Sequence, residues 1–179
     1  MNRAHVYEQF AKLLGYPDGS YVETAELCRG AVGRVSDEAE RNLREFHLRI
    51  EGRTTEQLQE LFVQTFDLNP VCVLEVGWHL YGDNYDRGAF LVKTREQLRR
   101  HGVAESRELP DHLTHVLALL ARMNWEEASA FAAQSVIPAL DKMLAGIAGK
   151  ESPYEFFLTA LRQTLAFAHA PALQGVNHE

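Results

Sequence analysis

Three residues near the middle of the chain have side chains that could act in catalysis or metal binding. Asp111, His112 and His115 directly follow Pro110 in the stretch SRELPDHLTHVLALLARM (106–123). Imidazole and carboxylate groups exchange protons and bind metals such as zinc, and residues three apart occupy neighbouring positions on a helix. The two histidines and Asp111 could therefore hold a metal. No further ligand is obvious nearby, although zinc usually has three or four close ligands.

The same residues also fit the start of a helix. Pro110 has no N–H group to leave unpaired, and Asp111 would lie at the positive end of the helix dipole. His112 would then be exposed at the helix start, where it could make a polar contact at the edge of a groove. An apolar stripe follows, formed by Leu113, Val116, Leu117, Leu120 and Met123. This spacing predicts a helix packed on a core.

A second group of residues with chemical potential lies in the stretch GWHLYGDNYDRG (77–88). Its aromatic residues with polar tips are Trp78, His79, Tyr81 and Tyr85. Such side chains suit interfaces because they combine apolar area with one hydrogen-bonding group. Packing in a core is an equally weighted alternative for Trp78. The acidic residues in and beside this stretch are Glu75, Asp83 and Asp86.

The elements that position these residues are predicted to be helices. Apolar residues recur at helical spacing along almost the whole chain, and no segment alternates convincingly as a strand does. Helix starts are indicated by Ser36, by the capping box at residues 54–57 and by Ser152-Pro153 with Glu155. We predict an all-α, single-domain helical bundle of about eight or nine helices. Residues 1–170 form this domain, and residues 171–179 are predicted to be a flexible C-terminal tail.

Three further segments carry specific expectations. Residues 71–88 are predicted to be a short helix or an extended loop. A helix is predicted from residue 83 or 84 to residue 100, with Ala89, Val92 and, as a further candidate, Leu91 facing inward. A long helix is predicted over residues 126–148, with a kink or break at Pro138 because proline lacks the N–H that a helix interior needs.

The composition excludes several classes of function. The net charge of −7 argues against nonspecific nucleic-acid binding, which needs Lys and Arg, and leaves a basic partner open. No apolar run is long enough to cross a bilayer, and the N-terminus lacks the apolar region of a signal peptide. We therefore expect a cytoplasmic protein that does not insert directly into membranes. Cys28 and Cys72 form no CxxC pair and are expected to be buried apolar residues.

Common catalytic signatures are missing from the sequence. GxGxxG, GxxxxGK[ST], GxSxG and HExxH do not occur, and no Glu-x-x-His pair is present. An enzymatic interpretation therefore depends on one hypothesis, a helical metal-dependent enzyme that uses Asp111, His112 and His115.

Two stretches resemble a known family. ELPDHLTHVLALLARM (108–123) resembles the Glu-x-Pro-Asp-His segment of the redox-enzyme maturation chaperones, the TorD, DmsD and NarJ type. FVQTFDLNPVCVLEVGWHLYGDNYDRGAFLVKTREQLRRHGV (62–103) resembles the nitrate reductase delta-subunit branch of that family. The likeness extends over roughly residues 5–168 and is most specific at residues 62–123.

This resemblance implies an all-helical cytoplasmic chaperone without enzymatic activity. Such chaperones bind the N-terminal segment of a molybdoenzyme catalytic subunit and hold it competent for insertion of the molybdenum cofactor before membrane attachment. For this branch the implied client is the respiratory nitrate reductase alpha subunit, and a dimethyl sulfoxide or trimethylamine N-oxide reductase is the alternative. No cofactor is expected to bind the chaperone stably. Whether the chain forms a homodimer is left open.

The resemblance also implies which residues meet the client. The turn at residues 109–112 should lie beside segment 78–81, in a groove with apolar walls and an acidic edge that suits a basic, amphipathic client segment. The candidate apolar walls are Trp78, Leu80, Tyr81 and Leu109. The candidate polar or charged contacts are His79, Asp83, Glu108, Asp111 and His112. Pro110 completes the expected client-binding set.

Overall fold

A computed structural model describes residues 2–170, so the tail predicted at residues 171–179 lies outside the described residues. The α-helical segments are α1 (Arg3–Leu13), α2 (Tyr21–Val32), α3 (Asp37–Ile50), α4 (Thr55–Phe62), α5 (Val76–Tyr81), α6 (Tyr85–Arg100), α7 (Leu113–Arg122), α8 (Trp125–Phe131), α9 (Ile137–Ile147) and α10 (Pro153–Ala168). π-helical segments occupy Val63–Asp67, directly after α4, and Ala132–Val136, between α8 and α9. Since α8 continues through the second π-helical segment into α9, residues 2–170 form nine continuous helices. The predicted all-α, single-domain bundle of eight or nine helices is confirmed.

The helix starts lie where the sequence predicts them. The Thr54 hydroxyl accepts the N–H of Gln57, and the Gln57 side chain accepts the N–H of Thr54, which completes the capping box of α4. Ser36 caps α3 with its hydroxyl, and Ser152 caps α10 by accepting the N–H of Tyr154. Each cap pairs an N–H that the helix itself cannot pair, so local sequence is enough to fix these starts.

Near Pro138, where a kink or break was predicted, the helix changes from α-helical to π-helical geometry without ending. Pro138 has no N–H to donate to the carbonyl of Gln134, four residues earlier, and its ring crowds that carbonyl. The helix widens into the π-helical segment Ala132–Val136, and α9 begins at Ile137. The wider turn accommodates the proline, so the helix continues past it.

The core lies where α10 packs on α3 and α1 packs on α7 and α2. Aromatic rings from several helices meet there. The ring centroids of Phe66 and Tyr154 are 4.7 Å apart, and those of Phe46 and Phe157 are 5.3 Å apart. The whole apolar stripe predicted in α7 is buried. Because α7 is packed in the core, the turn that precedes it is held in a fixed position.

The expected inward face of α6 is wrong. Ala89 and Val92 are exposed, whereas Thr94 and Leu98 are buried and Phe90 packs against the core. Ala89 and Phe90 differ by about 100° around the helix. Burial of the larger Phe90 side chain removes more apolar area from water than burial of Ala89 and Val92, so the helix turns its other face inward. The sequence pattern did not distinguish these two faces.

The stretch at residues 71–88 contains the short helix α5, as one of the two expectations had it. Extended pairing among residues 2–170 is limited to one isolated bridge, between Glu75 and His112. No helix within the same range is long and apolar enough to cross a membrane. Cys28 and Cys72 are both buried, as expected.

Candidate functional site

Backbone hydrogen bonds join the turn before α7 to the start of α5. The N–H of Leu113 donates to the carbonyl of Leu74 at 2.9 Å, and the N–H of Val76 donates to the carbonyl of Asp111 at 3.0 Å. The expected adjacency of the 109–112 turn and the segment that contains α5 is therefore confirmed. Because both partners are backbone groups, the two segments are held at a fixed distance.

Asp111 caps the start of α5 instead of its own helix, which corrects the sequence interpretation. Its side chain is fully buried, and Oδ2 accepts the N–H of Gly77 at 2.7 Å. Burial raises the pKa of this carboxyl, and the hydrogen bond from Gly77 opposes that rise. A Cβ atom at Gly77 would lie 2.7 Å from Oδ2 and 2.8 Å from the Phe90 ring. Glycine is therefore required at this position by the approach of Asp111.

His112 is the N-cap of α7, and the expectation that it would be exposed is wrong. Only 7% of the residue is exposed, because the turn is packed under the bridge to Glu75. Its Nδ1 accepts the N–H of Thr114 at 3.3 Å, and the Thr114 hydroxyl lies 2.8 Å from the same atom. Since a backbone N–H can only donate, Nδ1 carries no proton and the neutral ring has its proton on Nε2. Burial, and then His115, lower the pKa of His112 to about 4.

His115 fastens the loop that precedes the turn. Its Nε2 accepts the N–H of Ser106 at 2.9 Å, and its Nδ1 donates to the carbonyl of Leu109 at 2.8 Å. Asp111, His112 and His115 are thus engaged with three different sets of partners. Within residues 2–170, no group of three or more His, Cys, Asp or Glu side chains is placed to hold a metal ion.

A cleft of about 500 Å³ opens beside His112, and we call it the acidic cleft. Its lining residues are Leu14, Gly15, Tyr16, Phe62, Phe66, Asp67, Val73, Leu74, Glu75, Ser106, Glu108, His112 and Thr114. The aromatic part is formed by Tyr16, Phe62 and Phe66, whose neighbouring rings contact edge to face with centroids 6.1 Å and 5.0 Å apart. The acidic part is formed by Asp67, Glu75 and Glu108.

The carboxyl groups of the acidic cleft repel one another. Burial raises the pKa of Glu75, and the nearby carboxyls of Asp111 and Glu108 raise it further. Burial also raises the pKa of Asp67, again with a contribution from Glu108. Like charges at close range disfavour the ionised form. A cation placed among these groups would relieve that repulsion, so the cleft is suited to a positively charged group.

The predicted 78–81 wall lies outside the lining of the acidic cleft. Trp78 is half-buried, its Nε1 donates to the carbonyl of Pro70 at 2.9 Å, and the Arg87 guanidinium carbon is 5.3 Å from its ring centre. His79 is buried and contacts the carbonyl of Val73 through Nε2 at 2.7 Å, while burial lowers its pKa. These two side chains hold the loop before α5 in place.

The remaining predicted residues are divided between surfaces. Leu80 is half-buried against the core, Pro110 is buried, and Asp83 is exposed in the turn before α6. Leu109 is exposed beside Glu108. The residues expected in a single groove are therefore distributed over two concave surfaces and positions outside both, and their role in client binding stays a prediction.

The second concave surface, the α6 groove, lies between α6 and the helices α7 and α8. It encloses about 600 Å³ and is lined by Tyr81, Asp86, Ala89, Phe90, Lys93, Thr94, Gln97, Leu119, Met123, Glu127, Ala130, Phe131, Gln134 and Ser135. Its charged residues are of both signs, and Glu127 is already paired with Arg100 at 3.2 Å. The α6 groove therefore has no single sign of charge with which to attract a partner.

Comparison with known proteins assigns the chain to a family. Residues 33–154 match the sequence profile of the family described as nitrate reductase delta subunit. The chain belongs to the nitrate reductase delta subunit family. The matched residues include Glu75, Glu108 and His112, and they leave out Tyr16.

Two relatives of this family member share 27% identity with it over 148 residues. Both are described as nitrate reductase molybdenum cofactor assembly chaperone NarJ, one from Escherichia coli (strain K12) and one from Escherichia coli O157:H7. The alignment covers 80% of this chain and 62% of each relative. The chain therefore spans less than two thirds of the length of these relatives.

Sequence reasoning missed the aromatic part of the cleft in this delta subunit family member. The spacing of Phe62 and Phe66 fits the apolar stripe of one helix, and no sequence pattern singled out Tyr16. The stretch FVQTFDLNP gave one usable signal, since it places Phe66 and Asp67 side by side. Their position beside Glu108 arises from contacts between distant segments and has no local signature.

Proposed function

We propose that this protein is an assembly chaperone for a respiratory nitrate reductase. It binds the N-terminal segment of the catalytic alpha subunit in the cytoplasm and keeps that subunit competent for molybdenum cofactor insertion before membrane attachment. Membership of the nitrate reductase delta subunit family and the described role of the two NarJ relatives support this function. The molybdenum cofactor passes into the client, and the chaperone itself catalyses no reaction.

The observation that carries the proposal is the chemistry of the acidic cleft. Asp67, Glu75 and Glu108 attract a cationic side chain, and Tyr16 with the two phenylalanines accepts an apolar one. The Nε2–H of His112 has no hydrogen-bond partner among the described residues, and His112 lines the cleft. A backbone carbonyl of a client peptide is the acceptor that fits this donor. Together these groups select a segment with basic and apolar residues.

The proposed binding is reversible. Asp67 and Glu108 are exposed, so solvent screens their attraction to a cation. Ordering a flexible client segment also costs free energy, which lowers the affinity further. Moderate affinity suits a chaperone because the client has to be handed on.

The metal-dependent enzyme has less support than the chaperone. Its three proposed ligands are engaged with Gly77, Thr114, Ser106 and the carbonyl of Leu109. A dimethyl sulfoxide or trimethylamine N-oxide reductase as client is also less well supported, since the family match is to the nitrate reductase branch. The roles of Trp78, Leu80, Tyr81 and Asp83 in client contact stay predictions.

Calorimetry with a synthetic peptide that copies the N-terminus of the alpha subunit from the same genome tests the proposal. We expect binding at low salt that weakens as salt is added. Glu75→Gln should weaken binding about tenfold, or about 1.4 kcal/mol, because the neutral amide no longer attracts the cation. Asp86→Asn in the α6 groove is the matched control and should bind like the wild type. No binding at low salt, or a loss confined to Asp86→Asn, would overturn the assignment to the acidic cleft.

A further inference from the structure

Arg87 is a half-buried cation without a direct ionic partner among the described residues. It lies in the first turn of α6, with its guanidinium carbon 5.3 Å from the centre of the Trp78 ring. Its Nε is buried and has no hydrogen-bond partner in the described part of the chain. Within residues 2–170, no carboxylate lies within 4.0 Å of its nitrogen atoms as an ion pair. Buried polar groups are normally paired, so this arrangement needs an explanation.

A carboxylate with a free oxygen lies close to this cation. Asp111 Oδ2 is bonded to Gly77, whereas Oδ1 is buried without a partner. The Arg87 charge lowers the pKa of both Asp111 and Glu75, although burial raises each of them more strongly. Arg87 is therefore near enough to act on both carboxylates through its field, and it forms an ion pair with neither.

The position of Arg87 relative to the acidic cleft follows from α5. Glu75 is the N-cap of α5 and lines the cleft, and Trp78 is three residues further along the same helix start. Residues three apart at a helix start lie on the same side. Arg87 contacts the Trp78 ring and does not line the cleft, so we expect its positive charge to act at medium range on whatever Glu75 binds.

We propose that Arg87 is a specificity-determining residue that weakens the attraction of the acidic cleft for cationic client side chains and so permits release of the client. This inference depends on the proposed function, because it concerns the same site. Arg87 neutralises part of the field of Glu75 and repels a client cation. A cleft without this residue would hold basic segments more tightly and distinguish them less sharply by their apolar residues.

Arg87→Gln measures this effect directly. We expect the variant to bind the alpha-subunit peptide about 3- to 10-fold more tightly at low salt, since it removes one repulsive charge at medium range. The gain should shrink at high salt and vanish for a matched peptide whose Arg and Lys residues are replaced by Gln. Arg87→Lys retains the charge and should bind like the wild type.

Arg99→Gln is the matched control. Arg99 is an exposed arginine on the same helix, twelve positions and roughly 18 Å further along it. Its removal changes the net charge equally and should leave the affinity within about twofold of the wild type. Equal tightening by both variants would assign the effect to net charge and overturn the inference.

The outcomes separate this inference from the proposed function. If wild-type protein binds no peptide, the proposed function fails and the inference fails with it. If the wild type binds but Arg87→Gln binds equally or more weakly, only the inference is overturned. Arg87→Met, which keeps the apolar stem on Trp78, repeats the test if the glutamine variant unfolds. Unfolding of both variants would show that Arg87 is structural and would overturn the proposal.

Discussion

The acidic cleft and the α6 groove are similar in volume and opposite in construction. The cleft encloses about 500 Å³ and the groove about 600 Å³. Backbone hydrogen bonds fix one wall of the cleft, and its acidic side chains, Asp67, Glu75 and Glu108, carry charge of a single sign. The groove is covered by α6, whose buried residues are only Thr94 and Leu98. The comparison teaches that size alone does not select the candidate site. A fixed wall and a single sign of charge are the features on which the proposed selectivity of the smaller cleft depends.

The largest expected difference between the two regions is the effect of a glycine-to-alanine substitution on the free energy of unfolding. Gly77→Ala places a Cβ against Asp111 Oδ2 and the Phe90 ring, so it should lower the free energy of unfolding by about 3 kcal/mol and weaken peptide binding. Gly88→Ala on α6 meets nothing within 4 Å and should be neutral or stabilise by up to about 1 kcal/mol. Urea unfolding measures both. Equal effects would show that the cleft wall is as adaptable as the groove.

Acid should destabilise the protein through His112 in the cleft wall. The folded pKa is about 4 and the unfolded value is 6.5, so between these pH values the unfolded chain binds a proton that the folded chain does not. The contribution of neutral His112 to the free energy of unfolding is fully present above pH 6.5 and is lost as the pH falls towards 4. At pH 5 the loss from this residue is about 2 kcal/mol.

His112→Asn isolates this contribution, because asparagine still caps a helix and does not titrate. Between pH 7 and pH 5, the free energy of unfolding of the variant, measured with urea, should fall by about 2 kcal/mol less than that of the wild type. His5→Asn, at an exposed histidine, should follow the wild-type curve. Burial also raises the pKa of Asp111, which acts in the opposite direction, but it is common to both proteins and cancels in the difference. If the free energy of unfolding falls equally with pH in the variant and the wild type, burial of His112 does not cause the acid sensitivity.

The smallest expected effect compares two exposed tyrosines. Tyr16 borders the acidic cleft and is 61% exposed, whereas Tyr85 on α6 is 91% exposed. Replacing either by Ser should change the free energy of unfolding by less than about 0.5 kcal/mol. Only Tyr16→Ser should weaken the client peptide, by about fivefold, because it removes apolar contact area in the cleft. If Tyr85→Ser weakens peptide binding instead, the client binds at α6.

Where sequence reasoning succeeded, the relevant signal acts within one or two helical turns. The caps at Ser36, Thr54 and Ser152 pair N–H groups two or three residues away. The π-helical segment before Pro138 follows from the missing N–H of the proline. The α6 face was predicted wrongly because Ala89 and Phe90 offer two competing apolar faces, and only the neighbouring helices decide between them.

The amino-acid sequence by itself determined most of the helices, the caps of α3, α4 and α10, the buried stripe of α7, the acidic charge and the motif that indicates the family. Only the tertiary structure decided that Asp111 caps a helix 34 residues away, that His112 is buried and neutral, and that aromatic rings meet the carboxylates in one cleft. Helix signals are local because each backbone N–H pairs within a few residues. Burial and charge pairing depend on segments that the chain brings together only when the core packs.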